Sequence, residues 1–365
     1  MFLKNCWYVA AWPHELPIGH FLARRILDQP VLLYRTGTGD PAALLDRCPH
    51  RLVPLSAGRR TGDIIRCGYH GMAFKPDGTC VHIPGQDSIP PNANATAFPL
   101  VERFGLVWIW MGDKALADAD LVPDLPWLTL PHWTSSTGYT HVMGDYRLLS
   151  DNLLDLSHET YIHQATIGNG EEESIADYPV RVTVDGKVIR AHREMPDITP
   201  PPFFKLLAGG GDDRIDRWQT AIWTAPAVNM TDVGVRPVGA GLDKTLVSRV
   251  LHLLTPETER STHYFWAHNR NFRLDDAELT DRIIAAHQRT FDEDKDIVER
   301  QQKELDDSGL SVPKFALRVD DAPLRARRLL ATLIRQEGEA GSAASTLARG
   351  QHLIPDPEAL TPMAF

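Results

Sequence analysis

Cys48-Pro49-His50-Arg51 and Cys67-Gly68-Tyr69-His70-Gly71 are the two stretches on which the reading of this chain turns. They give Cys-x-His, sixteen intervening residues, then Cys-x-x-His, so each half offers one thiolate and one imidazole. Outward from them, short runs rich in Val, Ile, Leu, Tyr and Trp alternate with turn signals. These are Gly37-Thr38-Gly39-Asp40-Pro41, Lys75-Pro76-Asp77-Gly78 and Pro84-Gly85-Gln86-Asp87, and they make residues 1–112 mostly β. Gly71 to Phe74 and Thr79 to Ile83 read as the arms of a hairpin. Gly105 to Met111 reads as a closing apolar strand. The Pro-, Asp- and Ala-containing stretch from Asp113 to Pro131 is the best boundary, giving domains of 1–115 and 116–365; 365 residues exceed one ordinary core.

The mixed donor set carries the chemistry. A structural zinc site usually places a Cys pair together and a His pair together. One Cys and one His from each of two loops instead fits a Rieske [2Fe–2S] centre, where two Cys hold one iron and two His the other. Cys6 and Cys80 have no such partners and are expected to serve packing. Four cysteines in so long a chain do not make a disulfide framework. A reducing cytoplasm is the expected setting. The net charge of −10 with scattered basic residues argues against nucleic acid as a partner. The apolar N-terminal run is broken by Lys4, Asn5 and Pro13, too short for a membrane span or secretory signal.

Beyond the boundary, residues 145–166 read as helical around Asp151-Asn152-Leu153-Leu154-Asp155-Leu156-Ser157-His158, then Glu159-Thr160-Tyr161-Ile162-His163. Burying Asp155, His158, Glu159 and His163 among those leucines is costly unless pairing or a metal compensates. On a regular helix an i, i+5 pair is about 140° apart. His158 and His163 can therefore meet one ion only if the helix ends, tightens or bulges near Thr160. A two-His site needs a carboxylate to complete an iron-binding face. Ile284, His287, Phe291, Val298 and Leu305 mark the buried stripe of a long amphipathic helix from Asp275 to Asp307. Asp294 falls within that stripe, whereas Asp292, Glu293 and Asp296 point more than ~100° away and are expected at the surface. Residues 178–270 read as strands interrupted by a loop between Pro200 and Asp213, and Gly338 to Gly350 as a polar surface loop.

Cys-Pro-His-Arg at 48–51 and Cys-Gly-Tyr-His-Gly at 67–71 resemble the motif of Rieske non-haem iron oxygenases. Asn152, Asp155, His158 and His163 resemble their mononuclear iron segment, and Asp294 matches the third ligand. Met72 stands where many ring-hydroxylating members carry Trp. Asn5-Cys-Trp-Tyr-Val-Ala, Arg103-Phe-Gly-Leu-Val-Trp-Ile-Trp, Tyr146-Arg-Leu-Leu and Leu254-Thr-Pro-Glu-Thr are similar to the vanillate O-demethylase branch. The resemblance implies an α+β chain, with a β-rich Rieske domain before a catalytic domain of helix-flanked antiparallel sheet.

It further implies a terminal oxygenase that uses O2 and NAD(P)H, the electrons arriving through a separate reductase of ferredoxin or flavin type. The reaction expected is oxidative demethylation of a methoxylated aromatic acid such as vanillate, with release of formaldehyde. Relatives of the same layout hydroxylate aryl methyl or N-methyl groups, and a ring-hydroxylating dioxygenase is the remaining alternative. Head-to-tail assembly, typically a trimer, would let Asp155 bridge His70 of one subunit and His158 of the next. Asn229 and His252 are candidate polar contacts to the substrate in an otherwise apolar pocket.

Overall fold

The computed structural model describes residues 1–310 and 315–340, which fall into two compact units. The first is built from Met1–Pro123 joined by Thr255–Glu259, the second from Asp124–Leu254 and Arg260–Gln336.

Eleven strands form the first unit: β1 (Trp7–Ala11), β2 (Phe21–Ile26), β3 (Gln29–Arg35), β4 (Pro41–Leu45), β5 (Arg59–Thr61), β6 (Ile64–Arg66), β7 (Ala73–Phe74), β8 (Cys80–His82), β9 (Ala97–Phe98), β10 (Leu100–Arg103) and β11 (Leu106–Trp110). They make three small sheets, ordered β1-β11-β10, β2-β3-β4-β9 and β5-β6-β7-β8. β1 and β11 are buried along their whole length, as unbroken apolar runs require. The expected hairpin is β7–β8, with Ala73 opposite His82. Cys6 and Cys80 are both buried and free of disulfides. Short 3-10 turns occupy the stretch from Lys114 to Leu128.

In the second unit, β12 (Thr134–Val142), β13 (Arg181–Asp185), β14 (Val188–Ile198), β15 (Ile215–Thr224), β16 (Val228–Pro237), β17 (Leu246–Thr258) and β18 (Ser261–Arg270) build one antiparallel sheet. Its order is β12-β18-β17-β16-β15-β14-β13. Helix α1 (Tyr146–Leu154) packs on β15 and β16, and the long α4 (Ala277–Ser308) on β12 and α1. Asp276 caps α4 by accepting from the Leu279 N–H at 2.8 Å, and Gly309 ends it in the left-handed region at φ +67. The buried stripe of α4 runs through Ile283, His287, Phe291, Asp294 and Val298. Ile283 takes the core position expected of Ile284, and Leu305 lies only partly buried beyond the stripe.

The segment between Pro200 and Asp213 is more than a loop. It folds α3 (Pro202–Leu207), which buries Phe203, Phe204 and Leu207, and burying two phenyl rings is worth about 2 kcal/mol each. The polar loop expected over Gly338–Gly350 lies mostly outside the described residues. Its first part closes the last helix, α5 (Asp321–Ala340).

Candidate metal centres

The loop after β4 and the turn between β6 and β7 share one backbone design. In the first, the Cys48 N–H donates to the Val53 carbonyl at 2.8 Å and the Leu52 N–H to the Cys48 carbonyl at 2.9 Å. In the second, the Cys67 N–H donates to the Met72 carbonyl at 2.8 Å and the Gly71 N–H to the Cys67 carbonyl at 3.1 Å. The fifth residue of each is left-handed, Leu52 at φ +59 and Gly71 at φ +75. Gly68 answers to a different demand, because a Cβ there would stand 2.7 Å from the Ala57 carbonyl oxygen.

This design separates the donors. Cys48 and Cys67 belong to the hydrophobic core with Met72, Phe74 and Cys80, whereas His50 and His70 are exposed, their rings 4.7 Å apart. Met72 has a packing role here, its sulfur 3.9 Å from Cys48 Sγ. Burial pushes the Cys48 thiol up, and the neighbouring Cys67 adds to this, while the His50 N–H pulls it down. Two neighbouring buried sulfurs and two exposed, paired imidazoles suit a cluster that keeps both sulfurs as thiolates.

The second centre starts where α1 stops. Asp155 leaves the helical region at φ −108, ψ 94. Its carboxylate then accepts from the Ser157 N–H at 2.9 Å and the Ser157 hydroxyl at 2.5 Å. This caps a 3-10 turn over Leu156–His158, which runs into the short helix α2 (Glu159–Ile162). His163 follows at φ −108, ψ 26. The helix thus tightens before Thr160 and ends after it, with Thr160 itself in regular geometry. These two irregularities bring the imidazoles together at 5.1 Å between centroids.

Asp294 completes the set from α4. Its Oδ1 lies 3.1 Å from His163 Nε2 and 3.4 Å from His158 Nε2, and Asn152 Nδ2 donates to the same oxygen at 3.0 Å. One ligand atom from each of His158, His163 and Asp294 lies within 4.8 Å of the others. Two imidazoles and one buried carboxylate fit a ferrous ion with open positions. Burial would raise the Asp294 carboxyl, but hydrogen bonds from His158 and His163 outweigh it and hold the group well below the usual carboxylate range. Burial opposes a charge on His163, yet Asp294 and Glu293 push it up to about 9.

Both outer imidazole nitrogens are held, as ligand orientation requires. His158 Nδ1 donates to the Asp155 backbone carbonyl at 2.5 Å. The contact expected from the Asp155 carboxylate to His158 is therefore made by its carbonyl, because the carboxylate caps the 3-10 turn. His163 Nδ1 lies 2.7 Å from Glu293 Oε2. That corrects the surface assignment of Glu293. Its Cα faces away from the stripe, but the side chain is long enough to curl back. Asp292 and Asp296 are at the surface, bonded to Gln288 and Arg300.

The triad borders a cavity walled by Phe203, Phe204, Val233, Val250 and Phe291. It encloses about 60 Å³, less than the ~150 Å³ that holds benzene in a protein core. An aromatic molecule must displace side chains to enter.

His252 lines this cavity. Its Nδ1 lies 2.5 Å from the Tyr264 hydroxyl and its Nε2 3.3 Å from the Thr231 hydroxyl. Burial holds it down to about 3. Asn229 is buried on the same sheet face but does not line the cavity, and Nδ2 faces Ser150 Oγ at 3.4 Å. Thr231, two residues along β16, takes that place.

The sequence reading missed two buried polar pairs. Arg217 Nη2 meets Glu159 at 2.9 Å, and Gln219 also donates to Glu159. That pairing anchors the residue beside His158 to the sheet. His268 Nδ1 and His287 Nε2 lie 2.7 Å apart in the cavity wall. The α4 stripe already marks His287 as buried, whereas β18 is buried on both faces, so no alternation singles out His268 and only tertiary structure pairs the two.

Comparison with known proteins accords with both centres. The Rieske [2Fe-2S] domain family matches residues 6–98, and the vanillate O-demethylase oxygenase C-terminal domain matches residues 142–336. The iron-sulfur subunit TsaM1 of the toluene-4-sulfonate monooxygenase system of Comamonas testosteroni is 40% identical, covering 84% of this chain and 89% of its own. A vanillate O-demethylase oxygenase subunit of Pseudomonas sp. is 37% identical over 94% of this chain and 98% of its own. The crystal structure of dicamba monooxygenase bound to 3,6-dichlorosalicylic acid superposes with a TM-score of 0.86 at 37% identity, covering 92% of this chain and 99% of that one. With both matches lying on the loops and helices that hold the donor sets, this chain belongs to the Rieske non-haem iron oxygenases, an oxidoreductase carrying a [2Fe–2S] cluster and a mononuclear iron.

Proposed function

We propose that this chain is the terminal oxygenase of a system that oxidatively demethylates a methoxylated aromatic acid such as vanillate, freeing the phenol and formaldehyde. The observation that carries this reading is the convergence of His158, His163 and Asp294 on the wall of an apolar, phenylalanine-lined cavity. In this reading Cys48, His50, Cys67 and His70 hold the cluster in residues 1–115, and residues 116–365 form the oxygenation domain. When bound, the cluster supplies electrons and the iron supplies the place where O2 is activated. A separate reductase draws those electrons from NAD(P)H, in the cytoplasm.

The chain's own residues do the rest. Phe203, Phe204 and Phe291 hold the ring and exclude water, and His252 presents a polar edge fixed by Tyr264 and Thr231. The Asp155 carbonyl fixes the tautomer of His158, and Glu293 that of His163. Both Ser157 bonds fall on Asp155 Oδ1. Oδ2 is left to accept a hydrogen bond from His70 of a neighbouring subunit in a trimeric ring.

The test is a panel of methoxylated and methylated aromatics with reductase, NADH and O2. Formaldehyde released in step with O2 uptake supports the reading, and a cis-diol product would sink it. Hydroxylation of an aryl methyl group, the alternative outcome, would show in the same panel as an alcohol without formaldehyde. For the bridge, Asp155→Asn should keep both metals while coupled turnover collapses. Near-normal turnover in that variant would remove Asp155 from the electron path.

A further inference from the structure

Among the described residues, the cavity beside the triad is lined by one Arg or Lys side chain, Arg217. Its charge is paired with Glu159 through Nη2 and the guanidinium lies over the Phe204 ring, so that only Nε is without a partner among the described residues. Asp294 and Glu293, both on His163, would together balance the charge of a bound ferrous ion. Arg193 opens on a separate cavity beside Asp155. Both nitrogens of His252 are engaged within the protein. A carboxylate entering this pocket unpaired would pay the full cost of a buried charge.

One group in the wall can answer that charge. His268 on β18 and His287 on α4 share the 2.7 Å bond, with 0% and 5% exposure, and stack among Phe203, Trp266 and Phe291. His268 Nε2 and His287 Nδ1 have no hydrogen-bond partner among the described residues. Two neutral imidazoles joined by one hydrogen bond keep one outer N–H and one outer lone pair. A proton added to that lone pair makes both outer nitrogens donors and gives the pair a positive charge.

We propose that the His268–His287 pair is the acid-recognition element of the pocket, binding the carboxylate of an aromatic acid together with one proton taken from solvent. This inference rests on reading the cavity as the site of an aromatic acid. The charged and titratable groups around the pair are few. Arg270, two residues along β18, works against a charge on His268; His252 faces His287, and Asp294 lies further along α4. Burial keeps the empty pair neutral, with His287 held down to about 3. Binding of the anion therefore draws a proton from solvent onto the pair, and binding of an uncharged analogue does not.

The test is titration calorimetry on the anaerobic holoenzyme in phosphate and in Tris, with 3-methoxybenzoate and its uncharged isostere 3-methoxybenzamide. The acid should take up one proton per molecule bound and the amide none. The dissociation constant of the acid should rise about tenfold from pH 7 to pH 8, as one-proton linkage requires, while that of the amide stays level. H268Q and H287Q should each retain cluster and iron, lose the proton uptake, and weaken the acid more than the amide. Should either misfold, H287F keeps the ring stack and tests the same point. Acid binding without proton uptake overturns the proposal and leaves the demethylase reading standing, as does uptake that persists in the variants. If neither compound binds, the aromatic-acid reading falls first and this inference with it.

Discussion

The two metal centres are built in opposite ways. The cluster donors come from two loops of one backbone design, seventeen positions apart between His50 and Cys67, with the thiols in the core and the imidazoles at the surface. The candidate iron donors come from a broken helix and from a second helix 131 residues later, and His163 and Asp294 are both buried. A site made of local loops can be encoded by short-range turns and can expose its outer ligands. A site made of distant helices depends on packing and sits at the bottom of a pocket. The contrast suits the work, since electrons must enter at a surface and an oxygen-activating centre must be shielded from water.

The sharpest way to break the contrast is Asp294→Ala. Removing the one ligand supplied by α4 should cost the mononuclear iron entirely, lowering iron content by one atom per chain. The cluster's visible absorption should survive, because no cluster donor depends on α4, and formaldehyde release should vanish. Loss of both metals together would mean that the two centres fold as one. The converse variant is Gly68→Ala, whose Cβ would meet the Ala57 carbonyl oxygen at 2.7 Å. Forcing that backbone apart should cost about 1–3 kcal/mol. It should be read as reduced cluster occupancy with the iron site of the other unit still able to take up ferrous ion.

A smaller effect probes the outer contacts of the iron site. Glu293→Gln keeps the shape but weakens the hold on His163 Nδ1, and iron affinity should drop roughly 10- to 100-fold, as for other groups that orient ligands. An unchanged affinity in a competition titration would return Glu293 to the surface. The smallest concerns Leu52, a side chain 67% exposed in left-handed backbone at φ +59. Gly71 holds the matching place in the other loop. Leu52→Gly relieves strain of about 1–2 kcal/mol at an entropic cost of roughly 0.5–1 kcal/mol. A thermal midpoint equal to or slightly above that of the parent is expected. A clear fall would mean that this leucine does something at the surface that its backbone resists.

Cys48, His50, Cys67 and His70 were legible because donor type and spacing are local facts, and turn residues on either side place them on loops. His158, His163 and Asp294 were legible for a related reason: buried charge on an apolar face demands an explanation, and helical phase singles out Asp294. The same reasoning placed Glu293 at the surface, because phase fixes where a Cα points and not how far a long side chain returns. It also left the Asp155 carboxylate on His158, since nothing in the order of residues says that Ser157 will claim it.

By itself, then, the sequence determined the candidate donor sets, the β-rich and α+β halves, and the amphipathic helix that carries Asp294. These follow from short-range periodicity and the cost of burying charge. Only tertiary structure decided that Thr231 and not Asn229 faces the cavity, and that His268 meets His287. Those are consequences of strand register and helix packing, which pair residues tens to hundreds of positions apart and leave no periodic trace in the chain.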